Sequence, residues 1–167
     1  MERLAAALLR TITGLERWVL ILGYVLMTGL LLLDTLGREF FGAGLFGANI
    51  YATNALIYAA MAGFGLATAS GRHLRPRFAD GLVPAVWEPA VRRAGQLVSG
   101  LILTVIAATA VQFVVETFSY GERNQVTGLA LWPIQLALPL GFAFSALRHF
   151  CYALWPSLAP VEGSADE

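Results

Sequence analysis

Few side chains in this sequence are equipped for chemistry, and their positions limit what that chemistry could be. His73 and His149 are the two histidines, and Cys151 is the one cysteine. Both histidines fall at the ends of apolar runs, and two histidines at one membrane face could act as axial haem ligands. A lone thiol builds neither a disulfide framework nor a zinc site, so Cys151 reads as a small apolar filler near a helix end. Asp34 and Glu116 are carboxylates at the edges of apolar runs. An ionisable residue inside a membrane is by default a functional candidate, so depth decides their meaning. Asp34 and Arg38 are spaced to pair on one helix face. They serve either as a structural pair or as a contact for a partner on the outer side.

The elements that must position these groups are long and apolar. The 167-residue chain is 57% hydrophobic and only 13% charged, against about 25% charge in a typical soluble domain. No Asp, Glu, Lys or Arg lies between Arg17 and Asp34, Glu39 and Arg72, Arg93 and Glu116, or Arg123 and Arg148. Each gap approaches or exceeds the roughly 20 apolar residues that cross a hydrocarbon core. Spans are expected near 18–36, 51–70, 95–118 and 129–151. Phe40–Ile50, rich in glycine, is expected as a loop or interfacial turn. The run from Trp18 to Leu33 is longer than a cleavable signal's apolar core, so it reads as a retained helix.

Orientation follows from the arginines, the only cations outside the histidines. Short cytoplasmic loops hold the excess of Lys and Arg. With four spans, Arg3, Arg10, Arg17, Arg72, Arg75, Arg77, Arg92, Arg93 and Arg148 share one side, against Arg38 and Arg123 on the other. Both termini are therefore expected in the cytoplasm. Residues 1–17 suit an amphipathic interfacial helix, with Arg3, Arg10 and Arg17 on one stripe and Leu4, Leu8, Ile12 and Leu15 opposite. Residues 18–151 form the transmembrane domain. The tail 152–167, rich in Pro, Ser and acid toward its end, is expected to be disordered.

Within lipid, helices pack through small residues. Candidate rows at four-residue spacing are Ala55, Ala59, Gly63, Ala67 and Gly71 in span two; Gly100, Thr104 and Ala108 in span three; and Ala137, Gly141 and Ser145 in span four. They serve contacts within the chain or with a partner. Pro139 should loosen or kink the fourth span by removing a backbone donor, whereas Pro133 suits a first turn. Asp34 lies roughly 12 Å past the middle of span one at 1.5 Å per residue, near the outer boundary of the hydrocarbon core. No charge approaches a midplane, which argues against an independent transport site.

Gly71-Arg72-His73-Leu74-Arg75 after span two begins a resemblance to a known family. With Arg38-Glu39-Phe40-Phe41-Gly42 after span one and Leu82-Val83-Pro84 further on, it is similar to the small membrane subunit, DctQ type, of tripartite ATP-independent periplasmic (TRAP) transporters. The fourth span carries the rest of the resemblance: Leu129-Ala130-Leu131-Trp132, Ala137 to Ala143 around Pro139 and Gly141, and Ala146-Leu147-Arg148. The chain departs from that pattern before span two, where Gly47, Asn49 and Ile50 replace Trp and acidic residues. It departs again at Pro76 and Arg77, which stand in place of Val-Asp, and at Pro133, which comes a few positions late.

The resemblance implies an all-α integral membrane subunit in the bacterial inner membrane. In such systems a periplasmic substrate-binding protein captures an organic acid anion and a large permease subunit carries it inward by sodium symport. The small subunit would be a non-enzymatic scaffold holding no cofactor, with sodium bound in the large subunit and membrane lipids as its other contacts. No nucleic-acid partner is expected. Candidate partner or lipid contacts are Asp34, Arg38, Gly63, Arg72, His73, Arg75, Trp132, Pro139, Gly141 and Arg148. The competing reading is a haem- or quinone-bearing redox anchor using His73 and His149. A third, a self-sufficient four-helix exporter, is disfavoured because span one lacks a midplane carboxylate.

Overall fold

The computed structural model describes residues 1–71 and 87–160. Helices account for almost all of it: α1 (Glu2–Phe41), α2 (Ala48–Ala69), α3 (Glu88–Ser119), a single turn α4 (Trp132–Gln135), α5 (Ala137–Leu154) and a closing 3-10 turn, Pro156–Leu158. Four of these stretches, with α4 and α5 taken together, are long and apolar enough to cross a membrane. The helices overrun the expected spans at most ends, because backbone hydrogen bonding continues past the apolar run.

α1 is continuous for 40 residues, about 60 Å at 1.5 Å per residue, twice a hydrocarbon core of about 30 Å. It ends where Gly42 adopts a left-handed conformation, φ 68°, which glycine enters without a Cβ penalty. The chain then folds so closely over Gly37 that a Cβ there would sit 2.8 Å from the Ala43 carbonyl oxygen. A short loop leads into α2 and reverses direction. Among the described residues, the end of the molecule holding Met1 also holds Gly71 and Pro160, which touch.

Neighbour relations run α1–α2–α5–α3: α1 packs along α2, α2 along α5, and α5 along α3, while α1 meets α5 only over a short stretch. The four spans therefore form an open layer. α5, in the middle, is the most enclosed, and the outer pair α1 and α3 expose long apolar faces, including Leu22, Val25, Leu26 and Leu33 on α1 and Leu101, Ile102 and Val105 on α3.

Small residues make the seams. A Cβ on Gly23 would lie 2.9 Å from both Ala55 O and Ala59 Cβ, and one on Gly141 would lie 2.6 Å from Met61 Cε. Ala48, Ala52, Ala55, Ala59 and Ala62 are all buried on α2. The four-residue row expected there leaves this seam after Ala59: Gly63 and Ala67 are only half-buried, and a Cβ on Gly63 would meet only Leu20 Cδ1 at 3.7 Å. Each four-residue step overshoots one turn of a 3.6-residue helix by about 40°, so a strict row rotates off a straight contact. On α3 the buried residues are Gly100, Ala107, Val114 and Thr117, and Thr104 and Ala108 are exposed. The α5 row of Ala137, Gly141 and Ser145 is buried throughout, because α5 has a neighbour on each side.

The fourth span is interrupted at Leu136, between α4 and α5. Pro139 lies one turn on, and its ring crowds the carbonyl four residues back, at Gln135. The expected loosening thus appears as a break one turn before the proline.

The start of α1 runs into the first span without a break. Its buried face is Leu9, Ile12 and Glu16, and Leu4, Leu8 and Leu15 remain exposed. Leu9 packs with Cys151 and Tyr152, and around them lie Ala5, Leu147, Trp155, Leu158 and Ala159. The tail expected to be disordered from residue 152 is therefore structured through Pro160. Ser157 Oγ also donates to Glu2 Oε1 at 2.5 Å. Residues 161–167 lie outside the described residues.

Candidate functional site

Among the described residues the most enclosed charge is Arg148 on α5, with no exposed surface. Its guanidinium forks onto Glu16 of α1, Nη1 to Oε1 at 3.0 Å and Nη2 to Oε2 at 2.5 Å. Nη2 also donates to Thr13 Oγ1 at 3.2 Å. Bidentate geometry of this kind is the strongest form an Arg–carboxylate contact takes. The pair passes the end of α2 where Gly65 leaves room for it: a Cβ on Gly65 would strike the Glu16 carboxylate. Thr68 Oγ1 and the fully buried Ser145 Oγ, 3.5 Å apart, lie on the same α2–α5 seam.

This geometry corrects the reading of Arg148 as a partner or lipid contact, because its side chain is spent inside the chain. Glu16 was missed altogether. Its signal was its place on the Leu9–Ile12 face of α1, where an isolated carboxylate demands a cation.

At the opposite end of the membrane-crossing part of α1, Asp34 is buried. One oxygen accepts from Arg38 Nε at 3.0 Å and the other from the Leu45 N–H at 2.7 Å. The carboxylate thus fastens the loop between α1 and α2 to the helix that precedes it. Arg38 itself is largely exposed. Eighteen positions separate Glu16 from Asp34, about 27 Å along the helix, close to the thickness of a hydrocarbon core. The two internally paired carboxylates of α1 therefore bracket an apolar segment of membrane length.

The remaining expected site residues scatter. Trp132 stacks edge-on against Phe118, ring centres 5.6 Å apart. Pro139 is buried on α5, Gly141 is buried against Met61 of α2, and Tyr58 Oη donates to the Pro133 carbonyl at 2.5 Å. Gly63 makes no close approach. Arg72, His73 and Arg75 lie outside the described residues. His149 is buried with Nδ1 2.5 Å from Gln96 Oε1, tying α5 to α3 at the edge of the layer.

Two depressions flank the Glu16–Arg148 pair. One, apolar and about 150 Å³, lies between α1, α2 and α5 and is lined by Leu15, Val19, Tyr58, Met61, Leu140 and Phe144 among others. The other, about 630 Å³, lies toward the terminal end and includes Arg10 and Arg17. The arrangement is suited to holding helices at fixed separations and to presenting apolar surface.

The family model described as "Tripartite ATP-independent periplasmic transporters, DctQ component" matches residues 27–158. The chain is also 25% identical over 143 residues to the Ectoine TRAP transporter small permease protein TeaB of Halomonas elongata, an alignment covering 86% of this chain and 74% of that protein. No solved structure matches. With an open layer of four membrane-length helices and a family match across most of its length, the chain belongs to the DctQ family: it is a non-enzymatic, multi-pass small permease subunit of a TRAP transporter.

Proposed function

We propose that this subunit is the stationary scaffold against which a large permease subunit moves solute across the bacterial inner membrane. The observation that carries the reading is the open α1–α2–α5–α3 layer. A four-helix bundle closed on itself would bury its apolar stripes internally. Here α1 and α3 keep theirs outward, and the buried carboxylates Glu16 and Asp34 have partners within the chain. The layer offers broad apolar faces to lipid and to a partner helix, and it holds no midplane charge on which an ion or solute could dwell.

In this reading both termini are cytoplasmic. With Arg148 set aside as internal, eight arginines still fall on the terminal side, against Arg38 and Arg123 on the other. Residues 2–17 run on from the membrane-crossing part of α1 at the cytoplasmic interface. Sodium and solute bind the large subunit, and a periplasmic binding protein delivers an organic acid anion. Ectoine, the solute in the name of the Halomonas elongata relative, is the second solute to test.

The test is tagged purification from native membranes followed by reconstitution. The expected result is co-purification of a much larger membrane subunit, with uptake that needs a sodium gradient, the large subunit and a periplasmic binding protein together. Solute flux in vesicles holding this chain alone would overturn the scaffold reading, and so would a Soret band in the purified protein.

A further inference from the structure

The depression of about 630 Å³ near the terminal end of α1 combines charge and shape in a way the scaffold role does not require. Arg10, Arg17, Thr13, Leu9, Tyr152 and Leu158 contribute to its lining, and among the described residues no Asp or Glu does so. Arg10 and Arg17 lie two helical turns apart on one face of α1 and have no carboxylate partner among the described residues. Glu2 is turned to Ser157 at the rim. Glu16 is committed to Arg148, so that pair adds no net charge. Among the described residues, then, no carboxylate offsets the two guanidinium groups that the cleft carries beside Leu9, Tyr152 and Leu158.

Its height relative to the membrane identifies the occupant. Arg17 is about 26 Å along α1 from Asp34, which puts it at the edge of a hydrocarbon core about 30 Å thick. The next residue, Trp18, is exposed, and tryptophan concentrates at the headgroup level. A guanidinium offers a planar fork of donors matched to phosphate oxygens. Basic pockets between transmembrane helices on the cytoplasmic side accept anionic headgroups. We propose that this cleft binds the phosphate headgroup of an anionic phospholipid, with Arg10 and Arg17 on the phosphate and the glycerol and first acyl carbons against Leu9, Tyr152 and Leu158. Thr13 lines the cleft and also accepts from Arg148, so an occupied site would lean directly on the buried ion pair. The inference uses the chain's membrane setting but not its scaffold role: a subunit that failed to hold a large permease would still retain the lipid.

The test is native mass spectrometry of the full chain released from micelles containing equal phosphatidylglycerol and phosphatidylcholine. The wild-type chain is expected to retain phosphatidylglycerol in preference to phosphatidylcholine. Arg10→Gln with Arg17→Gln should weaken that retention roughly 10- to 30-fold. Arg92→Gln with Arg93→Gln, the same charge change outside this cleft, should leave it intact, and Arg10→Lys with Arg17→Lys should keep most of it. Because Arg10 and Arg17 are exposed, these variants leave the packed interior untouched. Equal retention of both lipids would overturn the proposal. So would equal losses in the two Gln doubles, or displacement of the lipid by millimolar inorganic phosphate.

Discussion

Arg148 and Glu16 stand 132 positions apart in the chain and close on each other in a two-pronged ion pair with almost no access to solvent. They tie the last membrane-length helix to the first across the end of α2, where α1 and α5 otherwise meet only around Leu9, Cys151 and Tyr152. A buried pair of this kind contributes less than its Coulomb attraction suggests, because both charges were desolvated to form it. Breaking it, however, strands one charge.

Arg148→Gln and Glu16→Gln should each destabilise the subunit by roughly 3–5 kcal/mol, read as a lower midpoint in detergent-induced unfolding of the purified protein. The double variant Glu16→Leu with Arg148→Met should be more stable than either single variant. A double variant as unstable as the singles would show that the pair does more than neutralise itself.

Gly65 and Gly63 give a paired test on one helix. Gly65→Ala drives a methyl group into the Glu16 carboxylate and should lower stability about as much as loss of the pair. Gly63→Ala meets only Leu20 Cδ1 at ordinary contact distance and should be neutral within about 0.5 kcal/mol. Thermal unfolding of both variants checks the ranking, and equal effects would contradict this path of the Glu16 side chain past α2.

At the α1–α2 seam, Gly23→Leu must push apart backbones that approach to within Cβ contact of Ala55 and Ala59. Overpacking of this kind costs typically about 1–3 kcal/mol. If this seam sets the shape of the outward face, co-purification with the large subunit should fall along with stability.

Asp34→Ala removes the acceptor of the Leu45 N–H, and its consequence should be local. Hydrogen exchange should speed at Leu45 and the adjoining loop while the helices keep their protection. The Arg38 half of the contact is largely exposed and contributes little by itself, so Arg38→Gln should have a much smaller effect at Leu45.

His149 and Gln96 fasten α3 to α5 near the terminal end. Gln96→Leu leaves the His149 ring without this partner in a buried setting, which costs about 1–3 kcal/mol. Limited proteolysis should then find the start of α3 more accessible, and Gln96→Glu should preserve the contact.

The number of spans, their approximate places and the short connections were legible in the sequence. A bilayer imposes a length and excludes charge, and both constraints can be read along one dimension. Trp18–Leu33 and the run after Gly95 read as membrane-spanning helices from their lack of charge, and the expected turn after Phe40 follows from its glycines. The family was legible for a related reason, because its motifs fall at the ends of those same spans.

Which helix lies beside which was decided only in three dimensions. Four apolar helices of similar length can close into a bundle or open into a layer, and hydropathy is nearly the same for both. The choice rests on side-chain shape: Gly23 against Ala55 and Ala59, Gly141 against Met61, and Gly100 against Phe150. Arg148 looked like one more cytoplasmic arginine, because a charge near a helix end carries no record of the partner it will meet. Glu16 supplies that partner from the far end of the chain, and only the fold brings the two within reach.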